Sequence, residues 1–114
     1  MPRLETFSLT IKTGTQGRKD IPKYSINGFP LDFDEIEGEA EPGKVLKVTG
    51  HPESFPHTLT LSGPDEGIWE IEEVNAEYFC SNEPSYKIRM GAVTLDDHSD
   101  LNIWQERPPE VFEV

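Results

Sequence analysis

Glycine and proline interrupt nearly every window of this sequence in which a helix could form. The chain carries 9 glycines and 10 prolines in 114 residues, and alanine, the best helix former, occurs only at positions 40, 76 and 92. Short runs rich in β-branched and aromatic residues stand between the turns instead, a pattern typical of sandwiches and barrels. The sequence therefore predicts an all-β chain that forms one domain over residues 1–114. We expect a single antiparallel β-sandwich or barrel of about eight strands, with at most one short helix.

Strict alternation of apolar and polar residues predicts which side chains form the core. Phe7, Leu9 and Ile11 share one face of the first strand, and the residues between them are polar. Applied to the other strands, the same parity predicts a core of Phe7, Leu9, Ile11, Val48, Leu59, Leu61, Trp69, Ile71, Tyr78, Ile88, Val93 and Ile103. Trp104 has the opposite parity to Ile103, so we expect it to be partly exposed, under the C-terminal tail or in a partner interface.

Turn residues predict one hairpin and the end of the last strand. Asn27-Gly28 separates two β-rich runs, and both residue types tolerate the positive φ of a two-residue hairpin turn. Pro30 cannot donate to a ladder, so the second arm is expected at a sheet edge. The last strand is expected over 101–105, ended by Arg107-Pro108-Pro109, with an extended tail over 111–114.

Residues 68–80 form the longest uninterrupted segment and allow two interpretations. Its apolar residues change parity between Ile71 and Val74. A β-bulge at Glu72-Glu73 would place both sets on the core face of one strand. The alternative is a short helix over residues 70–77.

The formal net charge of −12 restricts the partners of the chain. Such a domain repels phosphate backbones and anionic lipid surfaces, so we expect neither nucleic-acid nor membrane binding. A basic protein partner is expected instead, in the manner of an inhibitor or a nucleic-acid mimic. In the stretch 32–41, Phe33 and Ile36 are expected to be buried, and the alternating acids are typical of a strand edge with its charges outward. The predicted interaction surface comprises Asp32, Asp34, Glu35, Glu37, Glu39, Glu70, Glu72, Glu73 and Trp104.

The sequence favours a cytoplasmic location. A single cysteine, Cys80, cannot form an internal disulfide, which suits a reducing compartment. The N-terminal residues lack the apolar region of a secretory signal, and no apolar run is long enough to span a bilayer.

Two groups of residues resemble parts of a cupredoxin. Glu41-Pro42-Gly43 leads a strand toward Pro56-His57, and Cys80 and Met90-Gly91 follow in the order of that family's closing segment. The resemblance implies a β-sandwich with copper held by His57, Cys80 and Met90, a ligand set that suits copper. The family's second histidine has no counterpart in residues 81–85, where Glu83 stands near its position. Packing of the thiol and the thioether in the core is the alternative role of Cys80 and Met90.

A second resemblance is to lipoxygenase-homology and C2-type sandwiches. Residues 9–14 look like the first strand of the former, and residues 67–74 resemble a strand after a glycine turn near its end. Such domains bind lipids or proteins, some of them through calcium. No functional residue is carried over from this likeness.

Asp96, Asp97 and Asp100 lie in one compact polar loop that offers oxygen ligands for calcium. Aspartates also favour hairpin loops for turn chemistry alone. The sequence contains no nucleophile elbow, phosphate loop or paired-cysteine zinc motif, so we do not expect an enzyme. The prediction is a non-enzymatic acidic binding module without a required cofactor. A degenerate copper-binding domain and a calcium-dependent ligand-binding sandwich are the alternatives.

Overall fold

The computed structural model describes residues 3–82 and 84–104, and in them the chain forms strands and no helix. The ten strands are β1 (Leu4–Thr13), β2 (Tyr24–Ile26), β3 (Phe29–Leu31), β4 (Glu35–Gly38), β5 (Val45–Gly50), β6 (Leu59–Leu61), β7 (Trp69–Cys80), β8 (Tyr86–Met90), β9 (Val93–Leu95) and β10 (Leu101–Asn102). The predicted all-β class is confirmed, although the strands number ten rather than about eight. Glu83, Gln105 and the predictions for 107–109 and 111–114 lie outside the described residues.

The strands form two antiparallel sheets. Sheet A has the order β4-β5-β1-β7-β8, and β9 pairs with the first residues of β7 on the same side as β8. Sheet B has the order β10-β6-β2-β3. Buried residues of both sheets belong to one apolar cluster, so the two sheets face each other across a shared core.

The long strand β7 contains the predicted bulge, and the alternative of a helix over 70–77 is wrong. Lys12 pairs with Glu73 but Thr13 pairs with Ile71, so one extra residue, Glu72, stands in β7 at this point. The bulge changes the parity of the strand, which lets Ile71 and Val74 both point into the core.

The core contains most of the predicted residues and several more. Ten of the twelve predicted side chains are buried, whereas Ile88 and Val93 are half-buried against the core. Ile36 was expected inside, yet 46% of it is exposed, because β4 is the last strand of the sheet A path and pairs with β5 alone among the described strands. Phe33 is buried, as expected. The other buried hydrophobic residues outside the list of twelve are Leu4, Tyr24, Ile26, Ala40, Leu46, Val74, Ala76, Cys80 and Leu95.

Two local features follow from turn chemistry and from a buried hydroxyl. Asn27 (φ 51°) and Gly28 (φ 86°) form the predicted hairpin turn, and β3 with Pro30 is an edge of sheet B. The Tyr78 hydroxyl of β7 donates a hydrogen bond to the carbonyl of Ile103, which follows β10. This bond ties sheet A to the end of sheet B. Burial and the nearby Tyr86 raise the pKa of the Tyr78 hydroxyl above its ordinary value, so it stays protonated as a donor.

Candidate functional site

The outer face of sheet A is polar and is organised in cross-strand rows. One row runs from Glu37 on β4 through Lys47, Thr10 and Asn75 to Arg89 on β8. The next row runs from Glu35 through Thr49, Ser8 and Glu77 to Lys87. Carboxylates therefore stand at the β4 end of this face, and cations stand at the β8 end.

We call the β4 end of this face, formed by Glu35, Ile36, Glu37 and Glu39, the acidic edge. Among the described residues, β4 pairs with β5 on one side and with no strand on the other. A depression of about 380 Å³ lies beside it, lined by Glu35, Ile36, Glu37, Lys47 and Thr49. No carboxylate of the acidic edge has a cation within 4.0 Å in the described part of the chain.

The pairing of β4 with β5 determines which backbone groups of the acidic edge are open. The Glu39 N–H donates to the Val45 carbonyl at 3.3 Å, and the register continues without a shift to Glu37 and Lys47. Because bonded positions alternate in an antiparallel ladder, the backbone groups of Glu37 also face β5. The N–H and C=O of Ile36 therefore point to the open side, between the side chains of Glu35 and Glu37.

Both ends of β4 are fixed by local chemistry. At the start, the Asp34 carboxylate accepts a hydrogen bond from the His51 N–H at 2.8 Å, and the Asp34 N–H donates to the Thr49 carbonyl. At the end, Gly38 has φ 83°, and a Cβ there would lie 2.1 Å from the Val45 carbonyl oxygen. Glycine is therefore required where β4 leaves β5.

The other predicted interaction carboxylates are engaged within the fold. Glu70 accepts hydrogen bonds from the N–H and the hydroxyl of Thr15. Glu72 pairs with Lys12, and Glu73 pairs with Arg89. Asp32 lies 3.7 Å from Lys23. Within the described residues, the acidic edge is thus the part of the predicted surface whose carboxylates have neither a cation within 4.0 Å nor a hydrogen bond to the fold.

Trp104 is half-buried. Its ring packs edge-on against Tyr78, with 5.5 Å between the ring centroids. The indole contributes to the core around Tyr78 and leaves one part open to solvent.

The residues of the copper hypothesis are not brought together. Met90 pairs with Val74, and Cys80 lies at the far end of the same strand β7. Six residues of strand separate these two levels, a distance of about 20 Å at the usual rise. His57 is exposed in the loop before β6, where its N–H donates to the Asn27 side chain.

The aspartates of the 96–100 loop serve turn chemistry. Asp96 accepts hydrogen bonds from the His98 N–H and the Ser99 hydroxyl, and these bonds lower the pKa of its carboxyl. Asp100 accepts a hydrogen bond from the Gly63 N–H, and Asp97 faces His98. No group of three or more His, Cys, Asp or Glu side chains within residues 3–82 and 84–104 is arranged to hold a metal ion.

Sequence reasoning missed a buried arginine, Arg18, that lies against the ring of Trp69. Arg18 lies in the connection between β1 and β2, yet it is buried, and its guanidinium lies 5.3 Å from the centroid of the Trp69 ring. It also donates to the Ser62 carbonyl and pairs with Asp20, while the Trp69 indole N–H donates to the Thr13 hydroxyl at 3.0 Å. This cluster satisfies its own polar groups, so its role is to close one end of the core.

Sequence reasoning also missed the cations at the β8 end of the outer face. The alternation of Lys87 and Arg89 in β8 indicates that both point outward. The position of Arg89 in the row of Lys47, and of Lys87 in the neighbouring row, depends on the register of four strands, which the sequence does not determine.

Comparison with known proteins finds a relative of this chain by sequence. The chain is 30% identical over 95 residues to a formimidoylglutamase of Vibrio parahaemolyticus, and the match covers 82% of this chain and 27% of that protein. The chain thus spans about a quarter of the length of the relative. No family model and no solved structure matches the chain. In the described residues no helix is both long and apolar enough to cross a membrane.

Proposed function

We propose that the chain is a non-enzymatic binding module that pairs an extended, basic segment of a partner protein with the open side of β4. The observation that carries the proposal is the coincidence of an unpaired strand edge with carboxylates that have no cation within 4.0 Å in the described residues. Strand addition to a sheet edge is a common way of recognising peptides, in which backbone bonds supply affinity and side chains supply specificity.

The geometry of the acidic edge defines the segment that fits. The open N–H of Ile36 can donate one backbone hydrogen bond to the added strand, and its C=O can accept another. Glu35 and Glu37 flank this position on the outer face, so a partner strand with lysine or arginine at alternate positions places its cations opposite them. Ile36, which is half-exposed, offers an apolar contact to the residue between those cations.

The charge of the whole chain supports the same partner. A net charge of −12 attracts a basic segment over a distance of about one Debye length, and this attraction weakens as salt is raised. Glu72 and Glu73 of β7 contribute less to it, because Lys12 and Arg89 already neutralise them.

The test uses an eight-residue peptide of alternating lysine and threonine as the probe, with isothermal titration calorimetry at low and high salt. We expect saturable binding that weakens as salt rises, and we expect the double variant Glu35→Gln, Glu37→Gln to bind at least tenfold more weakly. The matched control is Asp65→Asn, Glu66→Gln, which makes the same charge change in an exposed turn between β6 and β7. A control that weakens binding as much as the edge variant would show that only net charge matters, against the proposal.

The similarity to formimidoylglutamase favours a second candidate function, the activity that this name denotes. The match covers 27% of that enzyme, and the described part of this chain offers no cluster of three metal-ligating side chains. The two candidates are separated by incubating the purified chain with formimidoylglutamate and measuring the release of glutamate. The binding-module proposal expects no turnover above the buffer rate, with or without added divalent metal.

A further inference from the structure

A second concave surface lies on the outer face of sheet A, apart from the open side of β4. This groove, which we call the cationic groove, has a volume of about 440 Å³. Its floor is formed by Ser8, Thr10 and Asn75 of the central strands, and its walls carry Lys47 on one side and Lys87 and Arg89 on the other. The volume is within the range of about 300–1,000 Å³ that small-molecule sites occupy.

The lysines of the groove stand out in a chain whose acids far outnumber its bases. Among the residues that the structure describes, four cations have no carboxylate within 4.0 Å, namely Lys19, Lys44, Lys47 and Lys87. Two of these four, Lys47 and Lys87, line the groove from opposite sides of β1 and β7, in neighbouring rows. The chain thus brings two unpaired positive charges to the walls of one polar depression.

We propose that the cationic groove binds a small, elongated molecule with an anionic group at each end. Lys47 and Lys87 stand on strands three spacings apart and in neighbouring rows two residues apart, about 16 Å between their backbones, so an anionic group seated against one lysine leaves the other wall without a partner. A ligand with two such groups contacts both walls, and its middle then lies over β1 and β7 beside Thr10 and Asn75, which pair directly across these strands. The hydroxyl and the amide hydrogen-bond either donors or acceptors there.

Glu77 allows the sign of the ligand's charge to be tested. It also lines the groove and is paired in register with Lys87, but the two side chains form no ion pair within 4.0 Å. Its charge therefore opposes an anionic ligand without neutralising the lysine. Arg89 is held by Glu73, so the two unpaired lysines carry most of the proposed recognition.

The experiment is a titration of the ¹⁵N-labelled chain, followed by NMR, with glutarate and with inorganic pyrophosphate as probes. Acetate is the control with one anionic group, and glutaramide is the control without charge. We expect saturable shifts at the amides of Ser8, Thr10 and Asn75 with at least one of the two dianions. We expect acetate to bind at least tenfold more weakly and glutaramide not to bind. A response to glutarate alone identifies a dicarboxylate, and a response to pyrophosphate alone identifies a phosphorylated ligand.

Variants then assign the binding to the groove. Lys87→Gln and Lys47→Gln should each weaken the dianion about tenfold, whereas Lys44→Gln, in the turn before β5, should change affinity less than twofold. Glu77→Gln should strengthen binding. The proposal is overturned if neither dianion gives saturable shifts in the folded wild-type chain, or if Lys44→Gln weakens binding as much as the two groove variants.

Discussion

Replacing Gly38 by alanine should release β4, and with it the acidic edge, from the rest of sheet A. Gly38 and Gly43 both have positive φ, 83° and 74°, at opposite sides of the β4–β5 connection. An alanine Cβ at position 38 would lie 2.1 Å from the Val45 carbonyl oxygen, whereas one at position 43 would have no atom within 4 Å. Gly43→Ala is therefore a matched control that shares the backbone strain and lacks the clash.

The expected costs follow from these two environments. Alanine in the left-handed region lowers the free energy of unfolding by about 1–2 kcal/mol. Because alanine also makes the unfolded chain less flexible than glycine does, about 0.4–1 kcal/mol of this loss is recovered. Gly43→Ala should therefore cost about 1 kcal/mol. At Gly38 the clash also separates β4 from β5 and breaks the hydrogen bond from Glu39 to Val45. With that bond and its neighbour lost at about 0.5–1.5 kcal/mol each, Gly38→Ala should cost about 2–4 kcal/mol. The loss cannot exceed the free energy of detaching β4, because an edge strand can leave the sheet while the core stays folded.

Urea melts followed by tryptophan fluorescence, from buried Trp69 and half-buried Trp104, measure the global loss of stability, and amide hydrogen exchange measures the local loss at β4. We expect the Glu39 amide to exchange much faster in Gly38→Ala and to remain protected in Gly43→Ala. Equal costs for the two variants, with the Glu39 amide protected in both, would refute the reasoning that Gly38 is what allows β4 to pair.

Three further predictions concern the core and its polar contacts. Leu61→Ala should cost about 2–5 kcal/mol in urea melts, and Thr60→Ala, whose side chain faces away from the core, should stay within about 1 kcal/mol; equal losses would mean that the register of β6 is wrong. Tyr78→Phe should cost about 1–3 kcal/mol at neutral pH, because it leaves a buried carbonyl without its donor, and an unchanged melt would exclude that hydrogen bond. The Arg18 guanidinium lowers the pKa of Asp20 in the fold, so this pair stabilises the chain above the unfolded pKa of about 3.9, and the contribution is lost as pH falls through the lower folded value. Asp20→Asn should therefore flatten the acid side of the stability–pH curve, and a curve identical to that of the wild type would contradict the assignment.

The alternation of apolar and polar residues along single strands predicted the all-β architecture from the sequence. The parity change between Ile71 and Val74 predicted the bulge in β7, and Asn27-Gly28 predicted the hairpin turn, because each depends on residues that are close in the chain. Ile36 shows the limit of this reasoning. Its apolar character predicted burial, but its exposure depends on the place of β4 in the sheet order, which local periodicity does not contain.

The candidate sites depend on contacts between strands that are distant in the chain. The sequence predicted which acidic side chains face outward but not which cations they meet. The alternating acids of residues 32–41 indicated a strand edge with its charges outward. Whether a given carboxylate is free depends on partners such as Lys12 or Arg89, which reach Glu72 and Glu73 only through the register of three strands. The same register separates Cys80 from Met90, whose order along the chain had resembled a copper site.

Hydrogen exchange at the Ile36 amide tests the proposed function most directly, because its N–H points to the open side of β4. In the free chain we expect this amide to exchange quickly while the Glu39 amide, bonded to Val45, is protected. Saturation with the lysine–threonine peptide should slow exchange at Ile36 by at least tenfold and leave Glu39 unchanged. If the peptide binds and the Ile36 amide still exchanges at its free rate, the partner does not add a strand to this edge and the central claim is wrong.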